Sequence, residues 1–203
     1  MKVKVREMQE GDLSGYRAVF TIGYYHSIYR EWLLRGMMEN RERPPKDAGC
    51  LVAIVEGKIV GLLVYRSEED RIDVEELVVL PDHRRCGVAK ALIKELSRMA
   101  RLRGINKIQA TVPYGQFEDD PGLALLLTIY GKLGFSLEGI GVWVRCEGKV
   151  EEVVEVLGRR EGGYLYIYEK DLEILDQQGI KYEVVESWGR NYNLVMRVSQ
   201  PST

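Results

Sequence analysis

Arg84-Arg85-Cys86-Gly87-Val88-Ala89 decides the reading of this chain. It stands between the apolar run Leu77-Val78-Val79-Leu80 and a long amphipathic stretch beginning near Gly87 and reaching Arg103. Upstream, a strand-like run ends at Pro81. Downstream, Val88, Leu92, Leu96 and Met99 recur at three- and four-residue steps, the period of one helix face. Gly104 then stands where a C-terminal cap belongs. Two arginines beside a helix N-terminus oppose its dipole. The uncovered amides of a first turn suit an anion, and the small residues Gly87 and Ala89 let one come close. The stretch therefore reads as a strand–turn–helix anion site in which the arginines need an explanation.

Working outward, the preceding runs 50–55 and 58–66 are rich in β-formers and flank Glu56-Gly57, a hairpin signal. A third run, 72–80, leads into the turn. At the N-terminus, 2–6 alternate as a short strand, and helical pattern follows to about residue 43, where Pro44-Pro45 stop it. Ile22, Tyr25, Tyr29 and Trp32 are predicted to form the apolar face of that helical region. After the turn and its helix come a strand at 107–112, a loop over 113–120, and a helix opened by Asp120-Pro121 and closed by Gly134. Leu123, Leu126, Leu127 and Tyr130 form its stripe. A strand at 142–146 completes the region.

The 203 residues suffice for one large domain, or one domain with a small addition. A net charge of −2 gives no general nucleic-acid footprint. Three scattered cysteines, Cys50, Cys86 and Cys146, fit a reducing compartment better than a disulfide framework. The two histidines, His26 and His83, form no ligand-spaced set with them, so no metal site is expected. The N-terminus lacks a signal-peptide core and no apolar run approaches the length of a membrane span. The expectation is a soluble cytoplasmic protein with no membrane partner. Gly139-Ile140-Gly141 lacks the third glycine of a dinucleotide fingerprint.

The segment 76–96 resembles the cofactor-binding segment of the GNAT superfamily of acetyl-CoA-dependent N-acyltransferases, whose pattern is Arg or Gln, two variable residues, Gly, one variable residue, then Gly or Ala. A second family segment, a helix ending in Tyr-x-Lys-x-Gly-Phe, is similar to Tyr130-Gly131-Lys132-Leu133-Gly134-Phe135, in the expected order and with a strand between the two. The resemblance covers about residues 1–146 by element order and 76–135 by motif. It implies an α+β fold, a twisted and mostly antiparallel sheet flanked by helices. It also implies transfer of an acetyl or short acyl group from acetyl-CoA to an amine by direct attack on the thioester. A non-catalytic module that binds or senses acyl-CoA is the alternative.

By the same resemblance, the amides of Arg84, Arg85, Cys86, Gly87, Val88 and Ala89 wrap the pyrophosphate of coenzyme A, and Arg84 and Arg85 add charged contacts that include the 3′-phosphate. The backbone of Leu77, Val78 and Val79 pairs with the pantetheine arm and thioester, the Val79 amide lying near the carbonyl oxygen. Tyr130 is the acid that protonates the leaving thiolate. For the base, Asp73, Glu75 and Glu76 crowd the start of the fourth strand; alternation puts Asp73 and Glu75 on one face, and Glu75 is preferred over Asp73. A water-relayed base is the other route. The aromatic segment 24–32 matches the region that walls the acceptor in relatives, and Glu118-Asp119-Asp120 could attract an amine. The amine itself is unspecified.

Residues 147–203 are expected to form a small αβ appendage, or an insertion plus a closing strand. Their pattern gives helices at 150–160 and from Asp171 to Gly179, and strands at 164–168, 180–185 and 192–198, with Tyr192, Leu194, Met196 and Val198 on one side. Dimerisation, acceptor covering and protein-substrate recognition are its candidate roles.

Overall fold

The computed structural model describes residues 2–27, 42–114, 121–146, 159–161, 164–185 and 190–199. The chain divides into two compact units. The first comprises Met1–Ala110, Gly131–Gly134 and Met196–Thr203; the second comprises Thr111–Tyr130 and Phe135–Val195.

The first unit is built on strands β1 (Lys4–Glu7), β2 (Gly49–Val55), β3 (Lys58–Ser67) and β4 (Arg71–Val79), with the opening half of β5 (Lys107–Tyr114), in that spatial order. The first four pair antiparallel, and β5 joins β4 in parallel. Between β2 and β3, Glu56 and Gly57 both take positive φ (50° and 78°), the two-residue hairpin expected there. Helix α1 (Leu13–Tyr25) covers one face, burying Tyr16, Val19, Phe20 and Tyr24 against Cys50, Val52, Leu62, Val64 and Val78. Helix α2 (Val88–Leu102) buries Val88, Leu92, Leu96 and Met99, the stripe read from the sequence. Val88 and Leu92 lie over Gly61 of β3, on the face opposite Leu62.

The apolar face of α1 differs from the one expected. Ile22 and Tyr25 are exposed, at 44% and 42%, while the buried set runs through Tyr16, Val19, Phe20, Gly23 and Tyr24. The helix has several overlapping apolar rows, and contact with the sheet selects the row carrying Gly23, where a Cβ would stand 2.1 Å from Val78 Cγ1. Tyr29, Trp32 and the helical region at 28–41 lie outside the described residues, as do Glu118-Asp119-Asp120 with its expected cap.

The second unit holds the rest of β5, most of α3 (Pro121–Lys132), β6 (Ser136–Cys146), β7 (Arg159–Glu161), β8 (Tyr164–Tyr168), the short α4 (Leu172–Gln177), β9 (Tyr182–Val184) and β10 (Arg190–Arg197) as far as Val195. Its strand order is β5-β10-β6-β8-β7, with β9 also on β6. Val142, Val144, Leu165, Ile167 and Leu175 form its core. Gly139 and Gly141 serve packing: a Cβ on Gly141 would collide with the Tyr166 ring, and one on Gly139 would meet Tyr168 at 3.0 Å. The β10–β6 register slips between Asn193 and Leu194, with Glu138 of β6 as the extra residue, and Asn193, Leu194 and Val195 are all buried, so β10 is covered on both faces there. Of the helix expected at 150–160, residues 150–158 lie outside the described residues, and Arg159 and Arg160 belong to β7.

Candidate active site

Strand β4 carries the site to its turn. Its antiparallel register on β3 runs from Gly61↔Val79 to Val64↔Glu76, then slips, so that Tyr65 faces Val74 and Glu75 is the extra residue of a bulge. The parallel ladder to β5 pairs Arg71–Val74 with Lys107–Ala110 and, among the described residues, goes no further. The bulge bends β4 where this ladder ends. Leu80 donates its amide to the Val60 carbonyl at 2.9 Å, which makes Val79/Gly61 and Leu77/Leu63 non-hydrogen-bonded pairs. The amides and carbonyls of Leu77 and Val79 therefore point away from β3, along the edge past the ladder's end. Val78 faces the opposite way and fills the core beneath α1.

Pro81–His83 form a 3-10 turn, after which Arg85 and Gly87 both adopt left-handed backbone, at φ 59° and 85°. Nothing described stands within 4 Å of where a Gly87 Cβ would be, so conformation rather than packing calls for glycine there. Gly87 is the N-cap of α2 and offers no side chain to its first amides. Those amides, at Val88, Ala89 and Lys90, are the orphan donors of a helix N-terminus. Arg85 and Cys86 are exposed beside them.

Arg84 reaches back to the end of α1 and to β4. Its Nε donates to the Val79 carbonyl (3.1 Å), Nη1 to His26 (2.9 Å) and Nη2 to Gly23 (3.1 Å). Three main-chain oxygens thus hold the guanidinium that the resemblance assigned to a phosphate.

The carboxylates of β4 separate clearly. Asp73 accepts from Arg71 Nε at 3.0 and 3.2 Å. Glu75 pairs with Arg66 Nε at 2.8 Å, and Asp47 approaches the same atom at 3.6 Å. Asp73 stands opposite Arg66 and Glu76 opposite Val64, so the bulge brings Glu76 onto the face of Asp73, while Glu75, the extra residue, meets that same Arg66. Glu76 is 6% exposed, and burial pushes its carboxyl up to about 8. Glu76 lies two residues before Val78 in unbroken register, on the face beneath α1; nothing in the sequence reveals the bulge that brings Asp73 to that face as well.

Tyr130 lies in the second unit on α3, half-buried, its ring edge-on to Phe135 at 5.2 Å. The Phe135 amide returns to the Tyr130 carbonyl at 3.0 Å across a turn in which Gly134 takes φ 96°. This is the physical content of the Tyr-x-Lys-x-Gly-Phe segment: a helix end whose tyrosine is braced by the phenylalanine after the turn. Among the described residues no cluster of three or more His, Cys, Asp or Glu could hold a metal ion, and no helix is long and apolar enough to cross a membrane.

A strand ending at a left-handed turn, with amides along a released edge, is the arrangement that the resemblance to the GNAT superfamily implies. The sequence pattern of the acetyltransferase (GNAT) family matches residues 6–117, and the chain belongs to that family. It is an N-acetyltransferase, carrying acetyl from acetyl-CoA to an amine. Solved structures with a similar fold include the ribosomal-protein-S18-alanine N-acetyltransferase from Escherichia coli, 12% identical over 99% of this chain and 97% of that one, TM-score 0.56. Ard1 from Thermoplasma volcanium is 14% identical over 98% of this chain and all of that one, TM-score 0.54. A GNAT family acetyltransferase from Elizabethkingia anophelis with acetyl-CoA bound is 11% identical over 96% of this chain and 97% of that one, TM-score 0.52.

Proposed function

We propose that the amides of 84–89 and the β4 edge at Leu77 and Val79 hold acetyl-CoA, that a β4 carboxylate takes the proton of the incoming ammonium, and that Tyr130 returns a proton to the departing thiolate. The observation that carries the reading is the pairing of Leu77 and Val79: their main-chain groups point off β3 where the β4–β5 ladder has ended. Such an edge can accept the amide-rich pantetheine arm as an added strand, and a fixed N–H there suits the oxyanion as the carbonyl becomes tetrahedral.

For the base, Glu76 is favoured over Glu75 and Asp73. Arg66 and Arg71 hold the latter two as ion pairs. The Glu76 carboxyl, pushed up to about 8, is closer to the pH at which proton abstraction is efficient. Tyr130 takes the acid's role from its segment's match to the family. The acceptor is an amine, of a small molecule or a protein. The E. coli enzyme's name supports a protein N-terminus as one class to try, and the nourseothricin acetyltransferase of similar fold supports a small molecule as another. The three unpaired cysteines support a reducing, cytoplasmic setting.

The test is thiol release from acetyl-CoA across amines, peptides and ribosomal proteins. With the acceptor found, Tyr130→Phe is expected to lower kcat by about 10- to 1,000-fold. An unchanged rate returns Tyr130 to helix packing.

A further inference from the structure

The arginine that opens the 84–89 turn faces the end of α1. Helix α1 ends at Tyr25, and its last carbonyls carry the negative end of the helix dipole. The Ile22 oxygen accepts from the His26 amide, and the Tyr24 oxygen accepts from the amide and hydroxyl of Ser27. The oxygens of Gly23 and His26 receive Arg84, whose third donor goes to Val79. Gly23 permits this closeness: a Cβ there would stand 2.1 Å from Val78 Cγ1. So a cation that is unfavourable at the N-terminus of α2 is used at the C-terminus of α1, sixty-one residues away in sequence.

We propose that Arg84 is a positioning residue for acetyl-CoA. It ties the end of α1, the end of β4 and the start of the 84–89 turn into one rigid corner, and it touches no phosphate. The inference rests on the assignment of the 84–89 amides to the pyrophosphate. It follows from fork geometry: a planar guanidinium directing three of its five N–H donors at three carbonyls has its orientation fixed by them, and it cannot swing its fork onto a phosphate without giving them up. Its effect on the ligand passes through the amides it orients. The left-handed backbone of Arg85, one residue on, is a conformation that a non-glycine residue keeps only when its neighbours enforce it.

Calorimetry separates positioning from contact. The ligands are coenzyme A and 3′-dephospho-coenzyme A, measured at several salt concentrations. The proteins are wild type, Arg84→Gln and Arg84→Lys, each shown to be folded by circular dichroism. A positioning residue predicts that Arg84→Gln weakens both ligands by the same factor, about tenfold, with the salt dependence of binding unchanged. Arg84→Lys keeps the charge but not the fork, and is expected to lose nearly as much. Should Arg84→Gln fail to fold, the lysine variant carries the test. A loss confined to the ligand with the 3′-phosphate, a shallower salt dependence, or full rescue by lysine identifies a phosphate contact and overturns the proposal. Equal affinity in wild type and both variants also overturns it, leaving Arg84 as a structural brace only. Failure of wild type to bind either ligand at millimolar concentration overturns the pyrophosphate assignment itself, and this inference with it.

Discussion

Glu76 stands directly opposite Val64 in the β3–β4 ladder, a carboxyl facing a valine of the cluster packed beneath α1. Burial raises it from an ordinary 4.5 to about 8. The folded protein therefore holds a proton on Glu76 that the unfolded chain gives up near pH 4.5. The stability associated with this group is complete below that value and is lost as pH rises through about 8. Thermal midpoints measured from pH 5 to 9 should fall across the window, and Glu76→Gln should flatten the fall. A slope unchanged by the substitution would show that Glu76 is ionised in the folded state. If Glu76 is also the base, kcat/KM rises towards a plateau above pH 8, and the glutamine variant loses that limb.

The opposite sign applies at the N-terminus. Arg6 holds Asp12 through two bonds of 2.6 and 2.9 Å, and the Gln9 amide donates to the same carboxylate at 2.8 Å. These bonds, the arginine foremost, draw Asp12 down to about 2. A depressed carboxyl contributes stability above its unfolded value, near 3.8, and loses it as pH falls through about 2. Asp12→Asn is expected to cost ~1–2 kcal/mol at pH 7 in denaturant unfolding. The difference from wild type should shrink as pH falls below 3.8 and disappear only below about 2. A penalty that persists in acid would assign the loss to packing.

Gly23 is where α1 can least accommodate a side chain. Gly23→Ala would push the last turn off Val78 and is expected to destabilise the first unit by ~1–3 kcal/mol. Because the Gly23 carbonyl is one of the Arg84 acceptors, acetyl-CoA should bind more weakly as well. Unfolding curves and calorimetry on the same preparation check both. Wild-type affinity alongside the stability loss would separate the helix from the cofactor turn.

Much of the fold was legible because its signals are local. The Glu56-Gly57 hairpin, the α2 stripe and the Gly104 stop each depend on a few neighbouring residues, and each is observed. What the sequence hid is long-range. The row of α1 that packs was set by its fit to Val78, so Ile22 and Tyr25 stayed outside despite their spacing. The faces of Asp73, Glu75 and Glu76 were set by one bulge, and a period-two pattern contains no marker for an extra residue. Arg84 belongs to a motif by its neighbours, but its partners Gly23 and His26 are distant in the chain. The strand–turn–helix at 84–89 was thus readable as a place, while the partners of its charged residues lie outside the motif.

Gly87 offers a comparison that isolates the turn from stability. It takes φ 85°, and Gly104, just past the other end of α2, takes φ 73°. Neither has any described atom within 4 Å of a would-be Cβ, so alanine meets no steric wall at either site. Both substitutions force an L-residue into left-handed backbone and should cost a similar ~1–2 kcal/mol. They differ in what else moves. Relaxing φ at Gly87 rotates the amides that begin α2, and acetyl-CoA is expected to bind at least about tenfold more weakly. Relaxing φ at Gly104 disturbs only the exit from the helix, and affinity should stay at the wild-type value. Denaturant unfolding matches the two variants for stability, and calorimetry then reads the ligand. Equal weakening in both would mean that affinity follows the stability of α2 as a whole. Loss at Gly87 alone would mean that the backbone of the turn grips the diphosphate.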